Sequence, residues 1–300
     1  MKAVGVFPDR IAWKVFIERV LLWLGVLGVV IGVLFFIAFN WGALGKMGKF
    51  ALVETLIVLS LFPLLRYEAS SHVGQFALLG ASILVGVLLG LFGQIYQTGA
   101  DTWQLFASWA ILILPWVWLG RFDPLWIVWV AICNAWLILY FVLFPSPFFG
   151  IFDEITPAFV VLVFNALVTV FWEFSLRTRP QSSRLALRIP ATLTGVAATL
   201  LGIWAVMDDH RNHLLWFMIW LFWLSTFCLF YRYKVRDLFM LTGACLSAIV
   251  MFVVFLGKLL IDSHTEFLGF LMITFALIAT GTGATTWLKY IARTWEETHD

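Results

Sequence analysis

Ten apolar runs, each long enough to cross a lipid bilayer as a helix, constrain this chain more than any other feature. They lie at residues 20–39, 50–66, 76–96, 105–120, 125–144, 158–176, 189–206, 214–231, 237–260 and 267–288. A spanning helix needs about 20 apolar residues, and only helices and closed barrels satisfy every backbone polar group in lipid. The runs therefore predict an all-α, polytopic transmembrane helical bundle of about ten spans.

Composition agrees with this prediction. Hydrophobic residues make up 63% of the chain and charged residues 12%, whereas soluble domains carry about 25% charge. The spans use nearly the whole length, so we expect a transmembrane domain over 20–290 and a short cytoplasmic tail over 291–300. Residues 1–19 alternate bulky apolar with basic residues, which is typical of an interfacial amphipathic segment on an anionic leaflet.

Lys and Arg are distributed unequally between the two sides of the predicted bundle. With the N-terminus in the cytoplasm, 15 of the 19 fall in cytoplasmic segments. The other 4 are Lys46, Lys49, Arg211 and Lys258. Because basic loops are retained in the cytoplasm, this split predicts that both termini are cytoplasmic.

Ionisable side chains inside a span cost a few kcal/mol on insertion scales, so the few present are the first places to look for a site. Glu173 and Lys258 lie near the ends of their runs, where long side chains reach the headgroups. Asn134 and Asn165 are suited to hydrogen bonds between helices. Glu54 differs, since it lies about one turn inside the second run with no Lys or Arg within four residues in that helix. We expect it to face protein or a wet cavity.

Polar features of three consecutive helices converge on the predicted outer side. They form a candidate binding site, named the 40–101 cluster: Asn40, Trp41, Glu54, Gln94, Tyr96, Gln97 and Asp101. Gly99 suits the turn that would let Asp101 cap the fourth helix. The alternative is a satisfied polar turn, with Glu54 bonded to Tyr96 or to a backbone N–H and no ligand bound.

Metal, nucleotide and nucleic-acid chemistry have weak support or none. The weak metal candidates are histidines in loops predicted to face outward: His210, His213 and His264. Neither loop has a zinc-protease or C-x-x-C spacing, and the three cysteines lie in three different apolar runs. The chain has no phosphate-binding loop and no nucleophile motif. We therefore predict no cofactor, assign no catalytic residue and expect no nucleic-acid partner.

Two stretches resemble a known family. Residues 38–44 read AFNWGAL with KFAL at 49–52, and residues 93–106 read GQIYQTGADTWQLF ahead of a Trp-Ala pair. Over residues 20–120 the chain resembles the bacterial domain-of-unknown-function 2157 family of predicted membrane proteins. The resemblance implies a membrane-embedded fold in a bacterial inner membrane and no catalytic residues. Members commonly carry a longer cytoplasmic N-terminal segment than the 19 residues found here.

Three functions remain open, and the lipid bilayer is a partner in all of them. Ten spans with internal polar groups can enclose a pathway, so the first is a transporter, flippase or channel in which Glu54 couples protons to movement. The second is a non-catalytic scaffold or accessory subunit, in which small-residue faces containing Gly28 or Gly86 bind a membrane-protein partner or a second copy. The third is an intramembrane enzyme acting on a lipid-linked substrate, with Glu54 and Asp101 as an acid–base pair.

Overall fold

The structure, a computed structural model, describes residues 10–97, 99–144, 155–178, 184–207, 213–261 and 266–297. Within these residues ten helices are long and apolar enough to cross a membrane, and no strand occurs among them. The predicted fold class, an all-α polytopic bundle, is confirmed.

This part of the chain forms ten α-helices, one 3₁₀ turn and one π-helical turn. The helices are α1 (Arg10–Phe39), α2 (Lys46–Leu61), α3 (His72–Tyr96), α4 (Thr102–Gly120), α5 (Asp123–Leu143), α6 (Thr156–Thr178), α7 (Leu185–Met207), α8 (His213–Leu229), α9 (Leu238–Ile261) and α10 (Glu266–Glu297). A 3₁₀ turn, Phe62–Leu65, continues α2, and a π-helical turn, Phe230–Lys234, continues α8. Helix α1 is continuous from Arg10, so Arg10, Lys14 and Arg19, which precede the first predicted span, share its helix. Helix α4 is continuous through Pro115.

The chain divides into two compact units, Met1–Leu139 and Tyr140–Asp300. In the first unit α3 is central, because it contacts α1, α2 and α4. Its side chains are correspondingly enclosed, and Leu78, Leu79 and Ala81 have no exposed surface.

A glycine and an indole fix the packing of α3 against α4. A Cβ built on Gly86 would lie 2.5 Å from Cε2 and Cζ2 of Trp109, so the ring occupies the space above this glycine. The Trp109 indole donates a hydrogen bond to the Ser82 carbonyl oxygen at 2.7 Å. In the same way Trp129 of α5 donates to the Ala110 carbonyl oxygen of α4 at 3.0 Å. Indole donors therefore link three consecutive helices.

In the second unit α7 is central and contacts α6, α8 and α9, while α10 contacts α9. The small side chains of Ala197 and Ala198 are buried in a core shared with Trp220 of α8. The Trp220 indole donates to Ser247 Oγ of α9 at 3.0 Å, and that hydroxyl lies 2.7 Å from Thr199 Oγ1 of α7. Three helices thus meet at one hydrogen-bonded contact inside an apolar core.

The Gly86 contact generates a stability prediction. Gly86→Ala should destabilise the protein, because its methyl group must displace the Trp109 ring and weaken the bond to α3. Overpacking of this kind costs about 1–3 kcal/mol, which lowers the melting temperature by several degrees. Gly93→Ala is the matched control on the same helix, since a Cβ there would meet nothing within 4 Å. Equal melting temperatures of the two variants in detergent would contradict the packing.

Candidate functional site

The loop after α1 places an aromatic ring over a buried lysine. Lys49 is only 5% exposed, and its Nζ lies 3.5 Å from the centroid of the Trp41 ring. A desolvated cation–π contact of this kind contributes about 2 kcal/mol. Beside it Asn40 ends α1, with Nδ2 donating to the Phe36 carbonyl oxygen at 2.9 Å. From sequence, Lys49 is one of four basic residues predicted on the outer side, and its spacing from Trp41 matches no recognised motif.

The ends of α1, α2 and α3 meet in one apolar cluster, so the structure brings together the helices that carry the 40–101 cluster. Ile37, Val53 and Leu91, one from each helix, are buried against one another. Above them the Tyr96 ring stacks on Phe50 of α2, with centroids 5.9 Å apart and planes inclined at 24°. Tyr96 therefore contributes to packing between α2 and α3.

Glu54 lies on the exposed side of α2. Val53, the residue before it, is fully buried, and successive helical residues point about 100° apart. The neighbours of Glu54 on its face are apolar and exposed, with Met47 at 79% and Val58 at 65%. Glu54 is eight residues beyond the start of α2 at Lys46, which corresponds to about 12 Å along the helix axis. An exposed carboxylate therefore lies well inside a membrane-length helix.

Two residues in the connection from α3 to α4 lie in the left-handed region. Gln97 ends α3 with φ 44°, and Gly99 has φ 63°. Asp101 occupies the N-cap position of α4, but its Oδ2 accepts a hydrogen bond from Trp103 Nε1 at 3.3 Å and caps no backbone N–H. Gln94 and Gln97 are both exposed. Gln94, Gln97 and Asp101 are therefore all at the surface.

The remaining polar residues singled out by sequence take other positions. His210 and His264 lie outside the described residues, and His213 is the first residue of α8. Lys258 Nζ donates to the Val206 carbonyl oxygen at the end of α7, at 2.8 Å. Glu173, expected to reach the headgroups, is instead only 8% exposed.

A second charged site, which the sequence analysis missed, joins the start of α7 to the start of α9. It is named the Asp237 clamp and consists of Asp237, Arg184 and Arg188. Asp237 is 5% exposed, and its two oxygens lie 2.8 Å from Arg184 Nη1 and 3.4 Å from Arg188 Nη2. Oδ1 also accepts from the Phe239 backbone N–H at 3.0 Å, which caps α9.

The π-helical turn adds a second buried pair to the second unit. Tyr231 is 2% exposed and shares a side-chain hydrogen bond with Glu173 of α6. The Asp237 carboxylate and the Arg184 guanidinium are close enough to act on the Tyr231 hydroxyl electrostatically. Single π turns recur at functional sites. For the Asp237 clamp, the sequence offered one signal, an Asp at the start of an apolar run, which is typical of a helix N-cap.

The clamp generates the second prediction. Asp237→Asn preserves the side-chain size and the cap but leaves two guanidinium groups without their counter-charge. Stability should fall by about 1–3 kcal/mol, toward the lower end because both arginines are partly exposed. Arg184→Gln should then cost less in the Asp237→Asn background than in the wild type. A thermal-unfolding cycle in detergent measures this coupling, and strictly additive effects would contradict the clamp.

Comparison with known proteins finds one similarity, and it falls within the first unit. Residues 10–126 match the model of a family described as "Predicted membrane protein (DUF2157)". This confirms the family resemblance predicted from residues 20–120. Neither a curated protein nor a solved structure matches the chain. The protein is a multi-pass membrane protein whose residues 10–126 are similar to the DUF2157 family.

Proposed function

We propose that this membrane protein is a transporter of the flippase or channel type, with the 40–101 cluster as its polar site near the outer leaflet. Glu54 is the carboxylate of that site that lies inside a span, and it exchanges protons as the transported species moves. Its exposure, well inside α2, is the observation that carries the proposal.

The argument rests on the energy of a carboxylate in lipid. An ionised side chain at membrane depth costs at least about 2.5 kcal/mol, and such residues mark ion and substrate pathways. The exposed neighbours Met47 and Val58 are apolar, so the cost is not relieved by a polar face on α2. A wet pathway along this face removes the cost and gives the carboxylate access to protons.

The residues around Glu54 suit the frame of a transport site. Phe92 lies 4.8 Å from Tyr96 and 6.4 Å from Phe50 between ring centroids, which forms a rigid aromatic edge one turn from Glu54. Exposed Gln94 and Gln97 offer amide donors and acceptors at the end of α3. Such groups interact with a polar headgroup or a hydrated solute as it enters.

We place the protein in a bacterial inner membrane with both termini cytoplasmic. The 15:4 distribution of the 19 Lys and Arg residues supports this orientation. Fusions after residues 70, 100 and 300 test it directly. A cytoplasm-active reporter should be active after residues 70 and 300 and inactive after residue 100, while the reverse pattern would overturn the orientation.

Water access to Glu54 is the decisive measurement. In a chain with alanine at the three native cysteine positions, Glu54→Cys should react with a membrane-impermeant thiol reagent added from the outer side. Met47→Cys, at the start of α2, is the positive control. Val58→Cys, one turn deeper on the same face, tests how far water extends. A Glu54→Cys variant that stays unreactive while Met47→Cys reacts would remove the basis of the proposal.

The transport step is tested separately in proteoliposomes that contain a pH-sensitive dye. The wild type should dissipate an imposed pH gradient, Glu54→Asp should retain part of that flux, and Glu54→Gln should abolish it. Wild-type flux in the Glu54→Gln variant would mean that Glu54 carries no protons.

The scaffold function is the second candidate, and one observation favours it. A Cβ on Gly28 or on Gly32 would meet nothing within 4 Å, so this small-residue face of α1 is open to another membrane helix. Gly86, by contrast, is already covered by Trp109. A stoichiometric membrane partner that is lost in Gly28→Leu and kept in Glu54→Gln would favour the scaffold over transport.

A further inference from the structure

A groove runs along the surface of the first unit between α1, α2 and α3. Its volume is about 820 Å³, within the range of about 300–1,000 Å³ typical of small-molecule sites. Leu and Val side chains line most of it, together with Gly25 and Gly80. Its ionisable groups are Glu18 and His72. We call it the α1–α3 groove.

The groove has the length of one leaflet. Along α1 it extends from Glu18 to Val30, a distance of about 18 Å at 1.5 Å per residue. One leaflet contributes about half of the 30 Å hydrocarbon core. His72 opens the span His72–Tyr96, and Glu18 lies near the start of the span Phe16–Phe39. The ionisable residues therefore lie where headgroups are found, and the apolar wall extends toward the bilayer centre.

We propose that the α1–α3 groove binds one phospholipid whose headgroup carries a primary ammonium, as in phosphatidylethanolamine. An acyl chain lies along Leu22, Val26 and Val30, where the glycines leave room for it. The headgroup binds at Glu18 and His72.

Charge complementarity selects this headgroup. Glu18 offers a carboxylate that accepts hydrogen bonds from an ammonium group, and Lys14 Nζ lies 3.9 Å from Glu18 Oε1. The Lys14 ammonium and the His72 imidazole are the donors available to the lipid phosphate. Adjacent negative and positive groups match a zwitterion that carries both charges. A purely anionic headgroup carries no positive group that could bind the Glu18 carboxylate.

The groove offers a variant that fills it without clashing with the protein. A Cβ on Gly25 would meet nothing within 4 Å, so Gly25→Leu extends into the groove. Gly28→Leu is the matched control: it lies one turn along the same helix, its position is equally open, and it does not line the groove. Both variants add the same side chain to α1.

Native mass spectrometry of the detergent-purified protein with added dioleoyl lipids provides the test. The wild type and Gly28→Leu should retain one phosphatidylethanolamine, and Gly25→Leu should retain it about tenfold less tightly. Glu18→Gln should lose the preference for phosphatidylethanolamine over phosphatidylcholine, whose quaternary ammonium donates no N–H hydrogen bond.

Three results would overturn the proposal. The first is equal lipid retention by Gly25→Leu and Gly28→Leu. The second is equal retention of phosphatidylglycerol and phosphatidylethanolamine by the wild type. The third is a wild-type dimer that carries no bound lipid and that Gly25→Leu dissociates. Glu54 does not line the groove, so Glu54→Gln should retain lipid as the wild type does. Failure of the transport proposal and failure of this one are therefore distinguishable.

Discussion

The absence of water from the hydrocarbon core is the constraint on which this structure depends. Every backbone N–H and C=O in the spans must find a partner within the chain, which enforces helices. Lipid chains are as apolar as Leu, so hydrophobic burial does little to hold those helices together. Part of the attraction between helices comes instead from side chains that donate hydrogen bonds to carbonyl oxygens of neighbouring helices. These donors are Ser60 to Ala77, Trp109 to Ser82, Trp129 to Ala110 and Lys258 to Val206.

The need for close contacts and directed hydrogen bonds between helices explains why α3 and α7 are central. Each offers glycine or alanine where a neighbour's indole must approach, as Gly86 does for Trp109 and Gly202 for Trp220. Shape complementarity and a few directed hydrogen bonds then determine which helices are adjacent. Against this background Glu54 is unusual, because it lies on the face of α2 that this packing leaves uncovered.

The number of spans and the convergence of α1, α2 and α3 were predictable, because apolar run length and alternation along the chain are local properties. The burial of Lys49 and the Asp237 clamp were not. Asp237 and Arg184 are 53 residues apart, and their contact depends on how α7 and α9 pack, which hydropathy does not encode. For the 40–101 cluster, the sequence predicted that the ends of α1, α2 and α3 meet. It did not give the rotation of α2, which buries Val53 and exposes Glu54.

The same separation in sequence has a consequence for how the protein is made. Membrane chains are synthesised from the N-terminus, and domains generally form in that order. Arg184 and Arg188 leave the ribosome 53 and 49 residues before Asp237. Until Asp237 has been made, the two guanidinium groups therefore lack the carboxylate that binds them in the folded protein. Asp237 arrives only with α9, so the ion pairs that join the start of α7 to the start of α9 form late in synthesis.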